Sequence, residues 1–288
     1  MNKVLIVGSN NQIGINLLSK LSKNNYVYAT YNKTKPNYKN KNVRYLRFDL
    51  LKPILKFKKF DILIFLASLT PKNKYKFIQY KIVNVNGLKN TLNIVDKKNL
   101  KKIILSSTTG IYGFDKQGVI SEEFLSKKLS PYAKSKYLME KILIKFCNQN
   151  SVKYSILRIP GIVGGKYYNN FLINLIRNIR ENKNINAFNK NSKFNNVIHL
   201  KILCKIIVEL INKNRSEILN VGSKNPVQIK NLINFIIKKI NIKNKKRYNG
   251  EIKFLNSKKK SFYLQLTKLN ASSKSTITTK QTIEKILN

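Results

Sequence analysis

The chain has 288 residues, 42% of them hydrophobic, so it is long enough to bury a full core as one large α/β domain or as a domain with a smaller appendage. Its 57 basic and 12 acidic residues give a formal net charge of +45, which creates a positive field that attracts polyanions. Because 50 of the basic residues are lysines scattered along the whole chain, the charge indicates solvated faces and disfavours a dedicated nucleic-acid-binding protein.

Cysteine content and hydropathy set further limits. Cys147 and Cys204 lie in unrelated contexts without a C-x-x-C spacing, which argues against a disulfide framework and a zinc site, so no metal is predicted. No run approaches the roughly 18 apolar residues of a membrane helix. The apolar start at residues 3–8 is followed by polar residues and not by a signal-peptide core. We therefore expect a cytoplasmic protein with no membrane partner.

The first part of the chain alternates short apolar runs with longer segments of helical periodicity, which is typical of a parallel sheet with crossover helices. Strands are predicted at residues 3–7, 26–31, 43–48, 61–66, 102–106 and 154–159. Helices are predicted after residue 12, where Ile13, Leu17, Leu18 and Leu21 recur at helical spacing, and at residues 82–95 and 132–147. Six strands with five crossovers predict an α/β fold with a doubly wound, Rossmann-type parallel sheet.

The pattern changes after residue 165. Helices are predicted at residues 171–179, 200–211 and 279–287, with another opened by Pro226, while residues 182–196 are Asn-rich and residues 243–260 read as exposed loop and edge strand. We therefore predict a dinucleotide-binding Rossmann domain at residues 1–165 and about 194–224. A small mixed C-terminal substrate-binding region is predicted at about 166–193 and 225–288.

Residues 8–14 (GSNNQIG) form the first candidate site, because a glycine-bearing turn between a strand and a helix directs backbone N–H groups and the helix N-terminus at a pyrophosphate. Asn11 stands where many such turns have a second glycine, and asparagine is the non-glycine residue that best tolerates a left-handed backbone. After the second strand, Asn32 and Lys33 replace the acidic residue that would hold the adenosine ribose. This predicts NAD or NADP as cofactor, with a slight preference for NADP; a decayed loop without cofactor is the alternative.

Tyr132 and Lys136 form the candidate catalytic pair. At i and i+4 on one helix face, a lysine ammonium can lower the pKa of a phenol toward the range useful for proton transfer. The spacing alone proves little, because three other tyrosines also have a lysine four positions on. Only Tyr132, however, begins a helix that follows a strand ending in the hydroxyls of residues 106–108. Hydroxyls at such a strand end face the ligand crevice, so these residues predict acid–base chemistry there.

Several segments occur together in one order along the chain, at residues 8–14 (GSNNQIG), 49–50 (DL), 65–68 (FLAS), 84–87 (NVNG), 107–113 (STTGIYG), 131–136 (PYAKSK) and 157–161 (LRIPG). Through them the chain resembles the extended short-chain dehydrogenase/reductase family, in its NAD-dependent epimerase/dehydratase group, over nearly its whole length. The resemblance implies a Tyr132 general acid/base, a Lys136 that also bonds the nicotinamide ribose, and Thr108 in place of Ser107 as the hydroxyl that polarises the substrate oxygen.

The same resemblance implies the cofactor contacts. Gln12 and Ile13 would line the pyrophosphate, and Asn84 would support the neighbouring helix and its water. The full predicted cofactor set is Gly8, Asn11, Gln12, Ile13, Gly14, Asn32, Lys33, Asp49, Leu50, Leu66, Ala67, Ser68, Asn84, Tyr132 and Lys136. Asp49 and Leu50 would flank the adenine, and Leu66, Ala67 and Ser68 would pack near the ribose and nicotinamide.

Departures from the family pattern refine these expectations. Phe65 replaces a common histidine, and Thr109 and Gly110 stand where 4,6-dehydratases have an Asp-Glu pair, which disfavours dehydration. His199 is interpreted as a packed histidine at a strand end. Basic residues available to a substrate diphosphate are Arg158, Lys166, Arg177 and Arg180.

The predicted function is hydride transfer at a hydroxyl or keto group of a nucleotide-linked sugar, with epimerase and reductase both left open. A homodimer is expected. One alternative is a degenerate dinucleotide-binding sensor or assembly subunit without turnover, indicated by Asn11 and Phe65. A nucleic-acid-binding protein is the other, and it would lose affinity steeply with salt.

Overall fold

The computed structural model describes residues 1–54, 58–71, 75–165, 170–245, 247–257 and 260–287. Two compact units are formed, a first from residues 1–111, 129–158 and 203–219, and a second from residues 112–128, 159–202 and 220–288. These boundaries differ from the predicted ones, because residues 112–128, 159–165, 194–202 and 220–224 fall in the second unit. The reason is pairing between short strands: residues 118–120 pair with residues 262–264, and residues 161–163 pair with residues 197–199.

The secondary structure alternates between strands and helices along most of the chain. The strands are β1 (Asn2–Val7), β2 (Asn25–Tyr31), β3 (Val43–Arg47), β4 (Ile62–Phe65), β5 (Lys102–Thr108), β6 (Gly118–Ile120), β7 (Lys153–Ile159), β8 (Gly161–Val163), β9 (Ile185–Phe188), β10 (Lys193–Phe194), β11 (Val197–His199), β12 (Glu217–Asn220), β13 (Val227–Gln228), β14 (Ile252–Leu255) and β15 (Phe262–Leu264). The helices are α1 (Gln12–Leu21), α2 (Phe77–Tyr80), α3 (Gly87–Ile94), α4 (Pro131–Gln149), α5 (Phe171–Arg180), α6 (Leu200–Leu210), α7 (Ile229–Asn244), α8 (Thr267–Ser272) and α9 (Thr279–Leu287). A π-helix (Lys81–Asn86) joins α2 to α3.

A seven-stranded sheet in the order β12-β7-β5-β4-β1-β2-β3 organises the first unit. The pairs β1–β2, β1–β4, β2–β3 and β4–β5 are parallel, so the predicted doubly wound parallel sheet is confirmed. The predicted count of six strands is wrong, because β12 adds a seventh. β12 lies beside β7 at the end of the sheet.

The core of this unit follows from the alternation of apolar residues. The last four residues of β1 and all of β4 are buried, as expected for central strands covered on both faces. The predicted apolar face of α1 is confirmed, since Ile13, Leu17, Leu18 and Leu21 are buried. Met139, Leu143 and Cys147 of α4 pack into the same cluster as the strands, and burial raises the pKa of the Cys147 thiol to about 12. Cys147 is therefore a core residue.

The second unit has its own core, formed by apolar residues of α5, α7 and α9. The Asn-rich segment at residues 182–196 contains β9 and β10, and β9 pairs with β14, which lies in the stretch predicted as exposed loop and edge strand. Pro226 does not open a helix, because β13 intervenes before α7 begins at Ile229. Throughout the described ranges, no helix combines the length and apolarity needed to span a bilayer, and no three His, Cys, Asp or Glu side chains gather as metal ligands would.

Candidate functional site

The turn between β1 and α1 requires both of its glycines. Gly8 has φ +89°, and a Cβ on it would lie 2.8 Å from the backbone nitrogen of Ala67. A Cβ on Gly14 would lie 2.6 Å from the backbone of Ser9. The turn is therefore packed against the end of β4 on one side and closed on itself on the other. This geometry sets the N-terminus of α1 at the carboxyl end of the central strands, where ligands of doubly wound sheets bind.

Asn11 caps the first helix. Its backbone is extended (φ −81°, ψ 166°), so the turn does not require a left-handed conformation at this position. Instead, Asn11 is the N-cap of α1, and its Oδ1 accepts a hydrogen bond from Gly14 N at 2.8 Å. Asparagine is among the preferred N-cap residues because its side chain satisfies an otherwise unpaired helical N–H. The residue that replaces glycine here thus stabilises the helix start and leaves the shape of the turn intact.

A cavity of about 260 Å³ opens beside this turn, and its lining includes residues that were predicted to contact the adenosine part of the cofactor. Five predicted residues line it, namely Gly8, Asn32, Asp49, Leu50 and Ala67. The predicted cofactor set does not include the other lining residues, which are Val7, Asn10, Thr30, Tyr31, Phe48, Leu51 and Val83. Thr30 could have been found from its place near the end of β2, and its Oγ1 accepts from Gly8 N at 3.1 Å. A glycine turn, a threonine hydroxyl and apolar walls fit the adenosine part of a dinucleotide.

Other predicted cofactor residues of the first unit do not line this cavity. Gln12 and Ile13 open the first turn of α1, and Lys33 is exposed. Leu66 is buried with its backbone N–H bonded to Val7 O at 2.9 Å, whereas Ser68 is partly exposed. Asp49 uses Oδ1 to accept from Leu51 N at 2.9 Å, which shapes the loop after β3.

Lys136 is fixed against the strand end that carries the candidate hydroxyls. Ser130 caps α4 by accepting from Ala133 N at 3.2 Å, and Pro131 occupies the first turn, so Tyr132 lies at the helix start. Lys136, one turn further on and only 2% exposed, donates from Nζ to Ser106 O at 2.9 Å. The same Nζ lies 5.9 Å from the centre of the Tyr132 ring. The structure therefore brings Tyr132, Lys136 and the end of β5 together.

Burial sets the ionisation of this pair. It raises the pKa of the Tyr132 phenol well above its ordinary value of 10, and the nearby Tyr80 phenol adds to the effect. The expected lowering of the Tyr132 pKa by Lys136 is therefore not found, because desolvation of the buried phenol dominates. Burial also lowers the pKa of Lys136 to about 8, while the negative charge of Glu140 acts in the opposite direction.

The structure separates Ser107 from Thr108. Ser107 is buried and donates its hydroxyl hydrogen to Glu140 Oε1. Thr108 is partly exposed, and its Oγ1 accepts from Gly110 N at 3.0 Å. A hydroxyl that accepts a backbone N–H keeps its own hydrogen available for another acceptor. Of the two, Thr108 is thus the hydroxyl that can meet a ligand.

Asn84 lies in the π-helix, a conformation found frequently at functional sites. Its side chain is fully buried; Oδ1 accepts from Leu69 N at 2.7 Å and Nδ2 donates to Ser135 Oγ at 3.1 Å. Asn84 therefore supports both the loop after β4 and the helix that bears Tyr132. Support of a neighbouring helix is the role that the family resemblance implies for Asn84. Nothing in the apolar spacing of residues 82–95 indicated a π-helix.

Of the basic residues considered for a substrate diphosphate, Arg158 is excluded. It is 4% exposed and pairs with Glu140 through Nη2 and Oε2 at 2.8 Å, because a guanidinium at that depth needs a carboxylate. Arg177 and Arg180 are exposed on α5, and Lys166 lies outside the described residues. His199 is buried, and its Nδ1 accepts from Lys201 N at 3.2 Å, which agrees with a packed histidine.

Comparison with known proteins places this site in context. A sequence model of the NAD dependent epimerase/dehydratase family matches residues 4–222. A UDP-glucose 4-epimerase from Lactobacillus helveticus is 31% identical over 117 residues, which make up 40% of this chain and 36% of that enzyme. A GDP-6-deoxy-D-talose 4-dehydrogenase from Aggregatibacter actinomycetemcomitans is 27% identical over 223 residues, which make up 73% of this chain and 70% of that enzyme. The match thus spans little more than a third of the first relative and over two thirds of the second.

Among solved structures, a UDP-glucuronic acid 4-epimerase from Bacillus cereus, determined in complex with NAD, is similar to this chain with a TM-score of 0.76. The two are 21% identical, and the alignment covers 99% of this chain and 100% of that one. At this identity the likeness is one of fold.

Proposed function

Because the chain belongs to the NAD-dependent epimerase/dehydratase family, we propose that it is an NAD(P)-dependent oxidoreductase or epimerase acting on a hydroxyl or keto group of a nucleotide-linked sugar. The observation that supports this most directly is the fixing of Lys136 Nζ on Ser106 O at 2.9 Å, beside Tyr132 and at the carboxyl end of β5. A phenol, an ammonium and the Thr108 hydroxyl then share one end of the sheet.

Each of these groups has a distinct task in the proposed reaction. Tyr132 gives or takes a proton at its phenol oxygen, and Thr108 donates a hydrogen bond to the reacting substrate oxygen. Lys136 holds a positive charge next to the phenol, which favours loss of the phenol proton in the oxidation direction. The bound nicotinamide cofactor supplies the hydride chemistry. Because burial raises the pKa of Tyr132, the phenol stays protonated at neutral pH and is ready to donate.

The cofactor would be held by the turn at residues 8–14 and by the cavity beside it. Gly8, Asn32, Asp49, Leu50 and Ala67 line that cavity, and Asn32 with Lys33 takes the place of an acidic ribose ligand. The absence of a carboxylate at that position removes the group that would repel a 2′-phosphate, which supports testing NADP beside NAD. Epimerisation returns the same hydride to the substrate, whereas reduction exchanges the cofactor at every turnover.

The test is an assay of the purified protein with NAD(H) and NADP(H) against UDP- and GDP-linked hexoses and their 4-keto forms. Product analysis by NMR distinguishes a changed sugar configuration from net oxidation or reduction, and absorbance of the reduced nicotinamide reports cofactor consumption. Epimerisation without net consumption identifies an epimerase, and stoichiometric NAD(P)H consumption identifies a reductase. Cofactor binding without turnover of any sugar nucleotide would contradict the proposal and favour a sensor or assembly subunit.

A matched pair of variants tests the role of Tyr132. Replacement Tyr132→Phe removes the proton donor, and we expect kcat to fall by about 10²- to 10⁴-fold with cofactor affinity retained. Tyr137→Phe is the control, because Tyr137 has the same spacing to Lys141, whose Nζ lies 4.8 Å from the ring centre, on the same helix. Equal rates for Tyr132→Phe and the wild type would rule out the acid–base assignment.

A further inference from the structure

A buried ion pair lies one helical turn beyond Lys136, within the first unit. Glu140 of α4 is 2% exposed and Arg158 of β7 is 4% exposed. They are joined by two bonds, from Arg158 Nη2 to Oε2 at 2.8 Å and from Arg158 Nε to Oε1 at 3.2 Å. Ser107 of β5 donates a third hydrogen bond to the same carboxylate. One carboxylate thus links three elements of the fold.

Stability alone does not account for such a pair. Removing two charges from water is costly, and replacing a buried ion pair by well-packed apolar residues is often neutral or stabilising. What a bidentate arginine–carboxylate pair provides with certainty is a fixed relative geometry of its elements. The pair fixes α4, which carries Tyr132, to β7, and the Ser107 hydrogen bond ties the same carboxylate to β5, the strand that ends in Thr108.

The spacing along both elements makes this link specific. Tyr132, Lys136 and Glu140 follow one another at intervals of four residues, so they share one face of α4. On β5, Ser107 stands between Ser106, whose carbonyl oxygen accepts from Lys136 Nζ, and Thr108. Displacement of Glu140 would therefore shift both sides of the site relative to each other.

Charge gives Glu140 a second effect. Lys136 is faced by Glu140 and Tyr132 from its own helix and by the Ser106 carbonyl from β5; Tyr80 packs on Tyr132, and Arg158 binds Glu140. Burial pushes Lys136 toward the neutral amine, and Glu140 is the carboxylate that opposes this. Without its negative charge, Lys136 would lose its proton at lower pH.

We propose that Glu140, held by Arg158 and Ser107, is a positioning residue that sets a negative charge one helical turn from Lys136 and locks the Tyr132 helix to the strand bearing Thr108. This role rests on the proposed function, because it gives Glu140 no contact with substrate. It predicts that the charge of Glu140, and not only its volume, matters for the reaction.

Glu140→Gln tests the charge, because glutamine preserves the shape and its one oxygen can still accept from Ser107 Oγ and Arg158 Nε, although its NH2 group cannot accept from Arg158 Nη2. We expect kcat at neutral pH to fall roughly 10- to 100-fold, with KM changed little and the alkaline limb of the kcat profile moved to lower pH. Since loss of the carboxylate beside Arg158 can destabilise the fold, the double variant Glu140→Met with Arg158→Met serves as the apolar replacement. It should fold, as judged by circular dichroism and the thermal midpoint, and show the same loss of kcat.

Glu217→Gln is the matched control, because it breaks the pair of Glu217 with Arg215 in the same unit. It should leave the pH profile of kcat unchanged. If Glu140→Gln and the double variant both fold and keep the wild-type kcat and pH profile, the proposal is wrong. A shift of the pH profile by Glu217→Gln equal to that of Glu140→Gln would also overturn it.

A readout without substrate separates this inference from the proposed function. The wild type and the Lys136→Met variant are compared by their free energies of unfolding. The difference between them should increase with pH between the pKa of Lys136 in the folded protein, about 8, and its ordinary value of 10.5, because the unfolded chain binds the proton in this window and the folded chain does not. In a Glu140→Gln background, that rise should begin at lower pH. If Glu140→Gln moves this increase to lower pH but the enzyme turns over no sugar nucleotide, the proposed function fails and the charge effect stands. If the enzyme is active but Glu140→Gln leaves the pH of the increase unchanged, the charge effect of Glu140 is refuted.

Discussion

Asn84 and Ser135 form a hydrogen bond of 3.1 Å between the π-helix and the helix that carries Tyr132. Ser135 Oγ in turn donates a hydrogen bond to Tyr132 O at 2.7 Å. Asn84 also accepts from Leu69 N, in the loop that follows β4. A single amide therefore holds the start of α4 and this loop in a fixed relation.

Replacing Asn84 should weaken the attachment of both the start of α4 and the loop after β4. Asn84→Ala leaves Leu69 N–H without its acceptor, and we expect the free energy of unfolding to fall by about 1–3 kcal/mol. The coupling can be measured by a double-mutant cycle with Ser135→Ala in urea denaturation. Strictly additive effects of the two substitutions would show that the 3.1 Å bond carries no coupling energy.

Substitutions at Ser107 and Thr108 should separate catalysis from stability. Thr108→Ala removes the hydroxyl that can reach a ligand, so we expect kcat to fall by about 10²- to 10³-fold with an unchanged thermal midpoint. Ser107→Ala should lower the free energy of unfolding by about 1–2 kcal/mol, because the Glu140 carboxylate loses a buried donor. Thr108→Ser should restore most of the rate. The assignment fails if Thr108→Ala keeps full activity.

Lys102 should make stability depend on pH in the alkaline range. It is 2% exposed, and its Nζ donates to the carbonyl oxygens of Tyr154, Lys213 and Arg215 at 3.4, 3.1 and 2.7 Å. Burial lowers its pKa from 10.5 to about 8, so between these values the unfolded chain binds the proton that the folded chain has released. The contribution of Lys102 to stability therefore rises with pH across this window and falls as the pH drops through 8.

The comparison with Lys102→Met isolates this effect from the other titrating lysines. The difference in free energy of unfolding between the wild type and the variant should increase from pH 8 to 10.5, measured by urea denaturation. At neutral pH the variant should already be less stable, because three carbonyl groups lose their donor. A difference that stays flat with pH would contradict the lowered pKa.

A side chain at Gly164 should be destabilising, both through backbone strain and through a clash with His199, and the two effects can be measured separately. Its φ is +76°, and a Cβ would lie 2.3 Å from His199 Nε2. Gly118 provides the control, because it has φ +90° but a Cβ on it would meet no atom of the described residues within 4 Å. We expect Gly118→Ala to lower stability by about 1–2 kcal/mol through backbone strain alone. Gly164→Ala should lower it further, and equal thermal midpoints for the two variants would rule out the His199 contact.

Local patterns in the sequence predicted the features that depend on local geometry. The apolar spacing of α1, the glycine turn and the start of α4 after Ser130 all follow from neighbouring residues, and the structure has them. The partners of buried charges could not be predicted in this way. Glu140 meets Arg158 and Ser107 across 18 and 33 positions, and only the folded sheet brings them together. The π-helix around Asn84 and the short strand β12 likewise depend on contacts made elsewhere in the chain.

The position of β12 beside β7 has a consequence for biosynthesis. The outer edge of β7 keeps its backbone groups unpaired until residue 217 has been added, about three quarters of the way along the chain. A nascent chain that stalls before this point presents an open strand edge to other stalled copies. Translation of the last quarter thus replaces the seven-residue strand β7 at this edge by the four-residue strand β12, and a shorter edge strand is a poorer template for pairing between chains.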